Sequence, residues 1–435
     1  MFLCLFSAFF RIIFEKPLFR CVGQPEGGTV LGKTAGIIAE YNPLHSGHVY
    51  HMEATRRAGY DRIVAVMSPH AVQRGEPAIF SKWTRAAAAL RCGADLVVEL
   101  PTPWAVSSAA RFAEAGVFLL AAMGCVDAVS FGSESGDLSA LSRCADACLE
   151  AEQGERLPSL LKEGLSYAAA RDRAVAEGWG EETASLLRSP NNILAVEYLK
   201  AIRRLHASLD AFTVARLGAG HDSPRPLQGI ASASALRQLI RGGELLSALE
   251  YLPEQAAELF EKDLREGTGG ASLSALEPAL LYRLRTMSLA DFRALPDVSE
   301  GLEQRLFKAS RRMQTLDSLI EEVRTRRYPL SRVRRILYSA LLGLTEESAV
   351  GHPPYLRVLA FNERGQALLR RMRRESALPV YHSFARLERD FPRLAETELL
   401  ATDLFRMACP DIRDAHSEYQ DRRPFSAAEK GGTLQ

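Results

Sequence analysis

The feature that most constrains the fold is a series of short, nearly continuous apolar runs separated by longer amphipathic stretches. "AGIIAEY", "RIVAVMS", "DLVVELP", "VDAVSFG" and later "AFTVARLG" read as strands. Helices are expected from about Gly47 to Ala58, Lys82 to Cys92 and Ser107 to Ala122, and through most of Gly136 to Leu205. Strands without polar alternation, each followed by a helix, are the mark of a parallel sheet covered on both faces. The fold class is therefore α/β. In "LRSPNNILAVEYLKAI", Ser189 can cap a helix and Pro190 suits its first turn. "GIASASALRQLI" opens another helix behind Ser232 or Ser234.

Beyond about residue 245 no strand series is evident, and the chain becomes rich in Leu, Ala, Arg and Glu. The expected organisation is an α/β domain over residues 34–245, then a mainly α-helical, Arg-rich domain over 246–421. Residues 422–435 read as a disordered tail. The leader 1–33 is apolar, but Arg11, Glu15 and Lys16 interrupt it before the ~20 apolar residues of a spanning helix are reached. It is expected to be dispensable, because the regular pattern begins only near Thr34.

Composition is that of an ordinary globular protein, 47% apolar and 25% charged, with a net charge of +1. Any nucleic-acid contact must then come from local clustering and not from a global basic field. The seven cysteines form no CxxC pair, which argues against a disulfide framework and for a reduced, cytoplasmic protein. Cys144 and Cys148 read as two small residues on a buried helix face.

The chemistry concentrates in "AEYNPLHSGHVYHM". His45, His48 and His51 would share a face of one continuous helix, but Pro43 and Gly47 start the helix only near Gly47, leaving His45 in the preceding turn. No HExxH pattern or carboxylate partner stands at ligand spacing, so no metal site is expected. A strand, a tight turn and a helix N-terminus instead make an anion site. Free N–H groups and the helix dipole both face the ligand, and histidines there can donate to phosphate oxygens.

These residues resemble the HxGH nucleotidyltransferases. "GIIAEYNPLHSGHVYH", "QRGEPAIFSKWTRAAAAL", "GADLVVELP", "FGSESGD", "SPNNILAVEYLKAI" and "GIASASALR" together resemble, in order and spacing, the bacterial tRNA(Met) cytidine acetate ligases. The resemblance implies a Rossmann-like nucleotidyltransferase domain that uses ATP to activate acetate as acetyl-AMP. The acetyl group then passes to N4 of the wobble cytidine of elongator tRNA(Met). It implies His45 and His48 as catalytic residues. ATP contacts are implied from Ile38, Ala39, Glu40, Tyr41, Asn42, Pro43, Leu44, His45, Ser46, Gly47, His48, Val49, Tyr50 and His51, and from Gly132, Asn191 and Arg216. Ser232, Ser234 and Arg237 would form the second phosphate signature. Mg²⁺ is expected with ATP, its ligands open, with Glu134 and Asp137 as candidates. The sequence departs from the family at Pro69-His70-Ala71, Leu44 and Ser46, and the first departure bears on the acyl or adenine pocket.

Lys82 and Arg85 read as a solvated face or as neutralisers of a bound anion, and Glu99 as a loop acceptor. Arg326, Arg327, Arg334 and Arg335 are expected to contact tRNA phosphates. No membrane or protein partner is implied. Two other classes compete: a small-molecule adenylyltransferase of the same superfamily, whose chains are typically much shorter, and a non-catalytic RNA-binding protein on a degenerate nucleotide fold.

Overall fold

The computed structural model describes residues 32–216, 231–299, 301–419 and 425–426. The leader up to residue 31, the Gly- and Pro-rich loop 217–230 and most of the tail lie outside the described residues.

The chain opens with β1 (Lys33–Ala39), α1 (Ser46–Arg57) and β2 (Tyr60–Met67). A tight hairpin, β3 (Ala71–Val72) and β4 (Glu76–Pro77), precedes α2 (Lys82–Arg91) and β5 (Leu96–Glu99). Then come α3 (Ala109–Ala122) and β6 (Ala128–Ser133). A helical excursion ends in α4 (Pro190–Arg204), followed by β7 (Asp210–Ala215) and α5 (Ala233–Arg241). The five expected strands are all present. The sheet runs β7-β6-β1-β2-β5 and continues beyond β5 into strands from the C-terminal half of the chain.

Side-chain alternation sorts the strands' apolar residues to two faces. Ile38, Val64 and Val66 join Phe112, Phe118 and Val196 on one side. Ile37, Ala65 and Met67 join Ala86, Leu90 and Leu236 on the other. Close approach of α3 to β1 depends on two glycines. A Cβ on Gly36 would stand 2.4 Å from Leu120, and one on Gly116 2.7 Å from Ile38. Cys144 and Cys148 are buried, as expected of small core residues.

The expectation that no strand follows residue 245 is corrected. β8 (Leu356–Phe361) enters the main sheet antiparallel to β5, pairing Val97 with Ala360 and Glu99 with Arg357. Its sequence, LRVLAF, is only six residues long and stands alone among helices, so no strand series announces it. β9 (Val380–Tyr381) pairs parallel with the start of β8, and β10 (Phe425–Ser426) with its end. A third core gathers Leu280, Phe292, Leu306, Leu319, Leu337 and Phe405, contributed in part by α6 (Leu330–Leu341) and α7 (Pro392–Ala408). Among the described residues no helix is long and apolar enough to cross a membrane.

Candidate functional site

From β1 the chain first builds outward through β2 to β5, then crosses to β6 and β7 on the other side of β1. Beside β1, between it and β6, successive connections leave in opposite directions. Ligands of open parallel sheets bind at that point, beyond the strands' C-terminal ends. A cavity of about 540 Å³ lies there.

Of the residues expected to hold ATP, the cavity is lined by Ile38, Ala39, Glu40, Tyr41, Asn42, His45, Gly47, His48, Tyr50, His51, Gly132, Asn191 and Arg216, and by Ser232 and Arg237 of the second signature. Pro43, Leu44, Ser46, Val49 and Ser234 are not on its wall. Leu44 is wholly buried in the core, and the Ser46 hydroxyl faces the Tyr251 carbonyl instead.

The opening histidines are built into the helix start. His45 caps α1: its Nδ1 accepts from the Gly47 N–H at 3.1 Å, while His48 Nδ1 accepts from the His45 N–H at 3.1 Å. This is a reciprocal capping box made by imidazoles in place of Ser and Glu. It also fixes the tautomer. A neutral ring whose Nδ1 accepts carries its proton on Nε2, so His48 presents an N–H donor to the cavity it lines. Burial holds the His48 pKa well below the ordinary imidazole value, reinforced by the charges of His45, Arg216 and His51. Burial and then Arg216 press His51 down to about 4. His51 Nε2 bonds Ser130 Oγ at 2.9 Å, and Ser130 in turn bonds Thr55.

The turn before α1 holds a buried polar side chain. Tyr41 takes φ +48, the left-handed region that side chains other than glycine rarely enter. Asn42 is then held by its oxygens: Oδ1 accepts from the Ile79 N–H at 2.7 Å and its carbonyl accepts from Arg237 at 2.8 Å. Its Nδ2 is buried with no partner among the described residues. Such an orphan calls for an explanation, and here it belongs to a cavity-lining residue. Arg237 is also paired with Glu76 at 3.4 Å.

The "FGSE" and "SPNN" motifs lock together. Glu134 accepts from the backbone N–H groups of Asn191 and Asn192 and from Asn191 Nδ2, and Asn192 Oδ1 accepts from the N–H groups of Glu134 and Ser135. Arg216 donates to Asn191 Oδ1 at 3.2 Å. Glu134 is therefore engaged in capping α4, and Asp137 caps the helix Leu138–Gln153. Neither lines the cavity, which corrects both as candidate Mg²⁺ ligands. Glu40 is the carboxylate on the wall, with Oε1 accepting from the Gln73 N–H. Among the described residues no group of three potential metal ligands exists.

Lys82 and Arg85 are wholly buried, so the solvated-face reading is wrong, and neither lines the cavity. Arg85 donates to the carbonyls of Phe80, Glu40, Ser68 and Pro69, tying together the ends of β1 and β2. Lys82 bonds Glu99 at 2.5 Å and Glu418 at 2.6 Å, and Arg357 bonds the same two carboxylates at 3.1 and 2.5 Å. Glu99 is thus a member of a buried charge ring. His70, in the segment that departs from the family, belongs to its periphery. It bonds Thr402 at 2.9 Å and stacks on Phe405, away from the cavity.

The arginine set divides. Arg335 is 9% exposed and paired with Asp297, so burial removes it from the expected tRNA contacts. Arg326 is exposed, and Arg327 and Arg334 are half-buried. The start of α6 reaches the cavity through Ser331, beside Gln73 and Arg74 of the β3–β4 turn. Gly75 makes that approach possible: a Cβ there would lie 2.3 Å from the Arg335 backbone nitrogen. Gln73 and Arg74 open the "QRGEPAIF" stretch, and only the fold brings them to the cavity. Ser331 and the apolar liners carry no local signal.

A doubly wound sheet with an imidazole-capped anion site at its switch point defines a nucleotidyltransferase-type nucleotide site. The chain matches the HIGH Nucleotidyl Transferase family over residues 32–420. It is 38% identical to the tRNA(Met) cytidine acetate ligase of Caldanaerobacter subterraneus subsp. tengcongensis, over 86% of this chain and 94% of that one. It is 40% identical to that of Syntrophotalea carbinolica, over 82% and 86%. The crystal structure of Thermotoga maritima TmcAL bound with alpha-thio ATP superposes with a TM-score of 0.84 at 31% identity, covering 91% of this chain and 99% of that one. The apo form gives 0.85 over the same shares. The chain belongs to the tRNA(Met) cytidine acetate ligase family of HIGH nucleotidyl transferases.

Proposed function

We propose that this protein activates acetate with ATP and transfers the acetyl group to N4 of the wobble cytidine of elongator tRNA(Met), in the cytoplasm. In the first step an acetate oxygen attacks the α-phosphorus and the bond to the bridging oxygen breaks. Acetyl-AMP forms and pyrophosphate leaves. In the second, the N4 amine attacks the acetyl carbonyl, the bond to AMP breaks and the amine gives up a proton. The observation that carries the reading is the histidine capping box. It sets a neutral N–H donor at a helix N-terminus, where phosphate binds. Such a donor strengthens as charge builds on the phosphate oxygens in the transition state.

In this reading His45, His48 and the Asn42 amide serve the α-phosphate region, and Ser232 and Arg237 the β- and γ-phosphates. Gly132, Asn191 and Arg216 hold the nucleoside end. A Cβ on Gly132 would meet nothing closer than Arg216 Cγ at 3.5 Å, so protein packing alone does not demand glycine there. Mg²⁺ would be held by Glu40 together with phosphate oxygens, since this ion needs only one or two carboxylates beside its substrate. It would neutralise phosphate charge. Residues 34–245 carry the nucleotide chemistry, and Arg326, Arg327 and Arg334 within 246–421 hold tRNA phosphates.

ATP–pyrophosphate exchange is the test. Exchange that requires acetate and proceeds without tRNA supports the reading, as does N4-acetylcytidine found by mass spectrometry after tRNA(Met) is added. RNA binding without exchange would refute it.

A further inference from the structure

The cavity has two chemistries. One stretch of wall carries the imidazoles, the Asn42 amide and the guanidinium groups of Arg74, Arg216 and Arg237. Another is apolar: Ala109 and Phe112 from the start of α3, Phe131 from β6, and Ile193, Leu194 and Tyr198 from α4. Phe112, Phe131 and Tyr198 are 3–5% exposed and belong to the sheet's own core. The Phe131 and Tyr198 rings lie 5.8 Å apart. The recess is therefore a rigid piece of core that opens into the site. Its lining side chains offer one polar group, the Tyr198 hydroxyl. Burial and the nearby Glu40 charge keep that phenol un-ionised, hence a donor.

Two parts of the substrates could enter such a recess, the adenine ring or the acyl group. An adenine edge carries several donors and acceptors, and one hydroxyl satisfies few of them. Unmatched polar groups in a buried site are costly. The ends of β6 and β7, where Gly132, Val214, Ala215 and Arg216 line the cavity, offer backbone groups suited to a base. A methyl group has no such needs, and its carboxylate can turn toward the cationic wall.

We propose that the recess formed by Phe112, Phe131, Leu194 and Tyr198 is the acyl subsite, and that Phe112 sets the length of aliphatic carboxylate admitted. This rests on the ligase reading. Phe112 and Phe131 are almost fully buried in the sheet's core, so an added methylene that reaches them must displace packed atoms. One methylene in a hydrophobic pocket is worth roughly 10–200-fold in selectivity.

The experiment measures ATP–pyrophosphate exchange with acetate, propionate and butyrate for wild type, Phe112→Ala and Leu194→Ala. Leu194 is half-buried, so its variant serves if truncation of the core ring compromises folding. The expected result is a butyrate-to-acetate ratio of kcat/KM raised about 10-fold or more, with the KM for ATP within about twofold of wild type. A raised KM for ATP with acyl preference unchanged would overturn the proposal and place adenine in the recess. Unchanged selectivity and unchanged KM in both variants would overturn it as well. No exchange by wild type with any of the three acids would instead bring down the ligase reading itself.

Discussion

Two polar assemblies sit at strand ends of the same sheet, and they are built on opposite principles. The ring at the ends of β5 and β8 sets Lys82 and Arg357 against Glu99 and Glu418, each cation touching both carboxylates. All four side chains are at most 3% exposed. The ring closes on itself and offers nothing to a ligand. The cleft at the ends of β1 and β6 leaves a donor that the protein does not use, the Nε2–H of His48, on a residue that lines the cavity. Buried charge that is complete within the protein organises structure. A donor left without a protein acceptor on a cavity-lining residue prepares for a ligand.

Breaking the ring should show the larger effect on stability. Replacing Arg357 with Met strips a counter-charge from two buried carboxylates, and removing one partner of a buried pair costs about 3–5 kcal/mol. Urea unfolding should show that loss, with exchange activity per folded molecule unchanged. A loss under about 1 kcal/mol would mean that water or another group compensates the ring.

The cleft should respond in the opposite sense. Arg216→Ala removes a guanidinium at the cavity wall, and a hydrogen bond to a charged group is worth about 1.5–3 kcal/mol. Adenylate formation should fall roughly 10- to 100-fold, while tRNA binding by filter or gel shift persists. Equal loss of both would erase the proposed division between nucleotide chemistry and RNA holding.

A pH-dependent effect follows from His51. Its folded pKa of about 4 lies below the ordinary value near 6.5. Between these limits the unfolded chain takes up a proton that the folded chain refuses. Stability is thus held above pH 6.5 and lost as pH falls toward 4, by up to about 1.4 kcal/mol per pH unit. Unfolding midpoints at two pH values should differ less in His51→Gln than in wild type. An identical pH slope would show that His51 titrates normally.

The mildest change is expected on the RNA side. Neutralising Arg326 and Arg334 should weaken tRNA binding and flatten its salt dependence by about one log–log unit per lost contact at most. Exchange without tRNA should not move. Unaltered tRNA affinity and salt slope would put the RNA surface elsewhere.

The cleft was legible because its grammar is local. A strand, a turn, a cap and a helix N-terminus occupy the contiguous stretch from Gly36 to His51, and the sheet's strands are apolar runs that periodicity reveals. The ring was not legible, because Lys82, Glu99, Arg357 and Glu418 meet only through the fold. A lysine and an arginine near a helix start look like a solvated face until a distant strand covers them. That strand, β8, was missed for the same reason: its partner β5 is more than 250 residues away. Arg335 reads as a tRNA contact because its counter-ion, Asp297, lies 38 residues away in a turn. The glycines at 36, 75 and 116 mark close approaches that only packing discloses.

The claim that the cleft works and the ring supports is tested most directly by measuring His48→Ala and Lys82→Met side by side, for acetate-dependent ATP–pyrophosphate exchange and for unfolding midpoint. His48→Ala should lose about 10²–10³ in exchange, the usual size for one transition-state donor, and in stability only the about 0.5–2 kcal/mol of a lost helix cap. Lys82→Met should lose about 3–5 kcal/mol of stability while each folded molecule still exchanges normally. A His48→Ala protein that exchanges at near wild-type rate, or a Lys82→Met protein that is stable but inactive, would contradict the account.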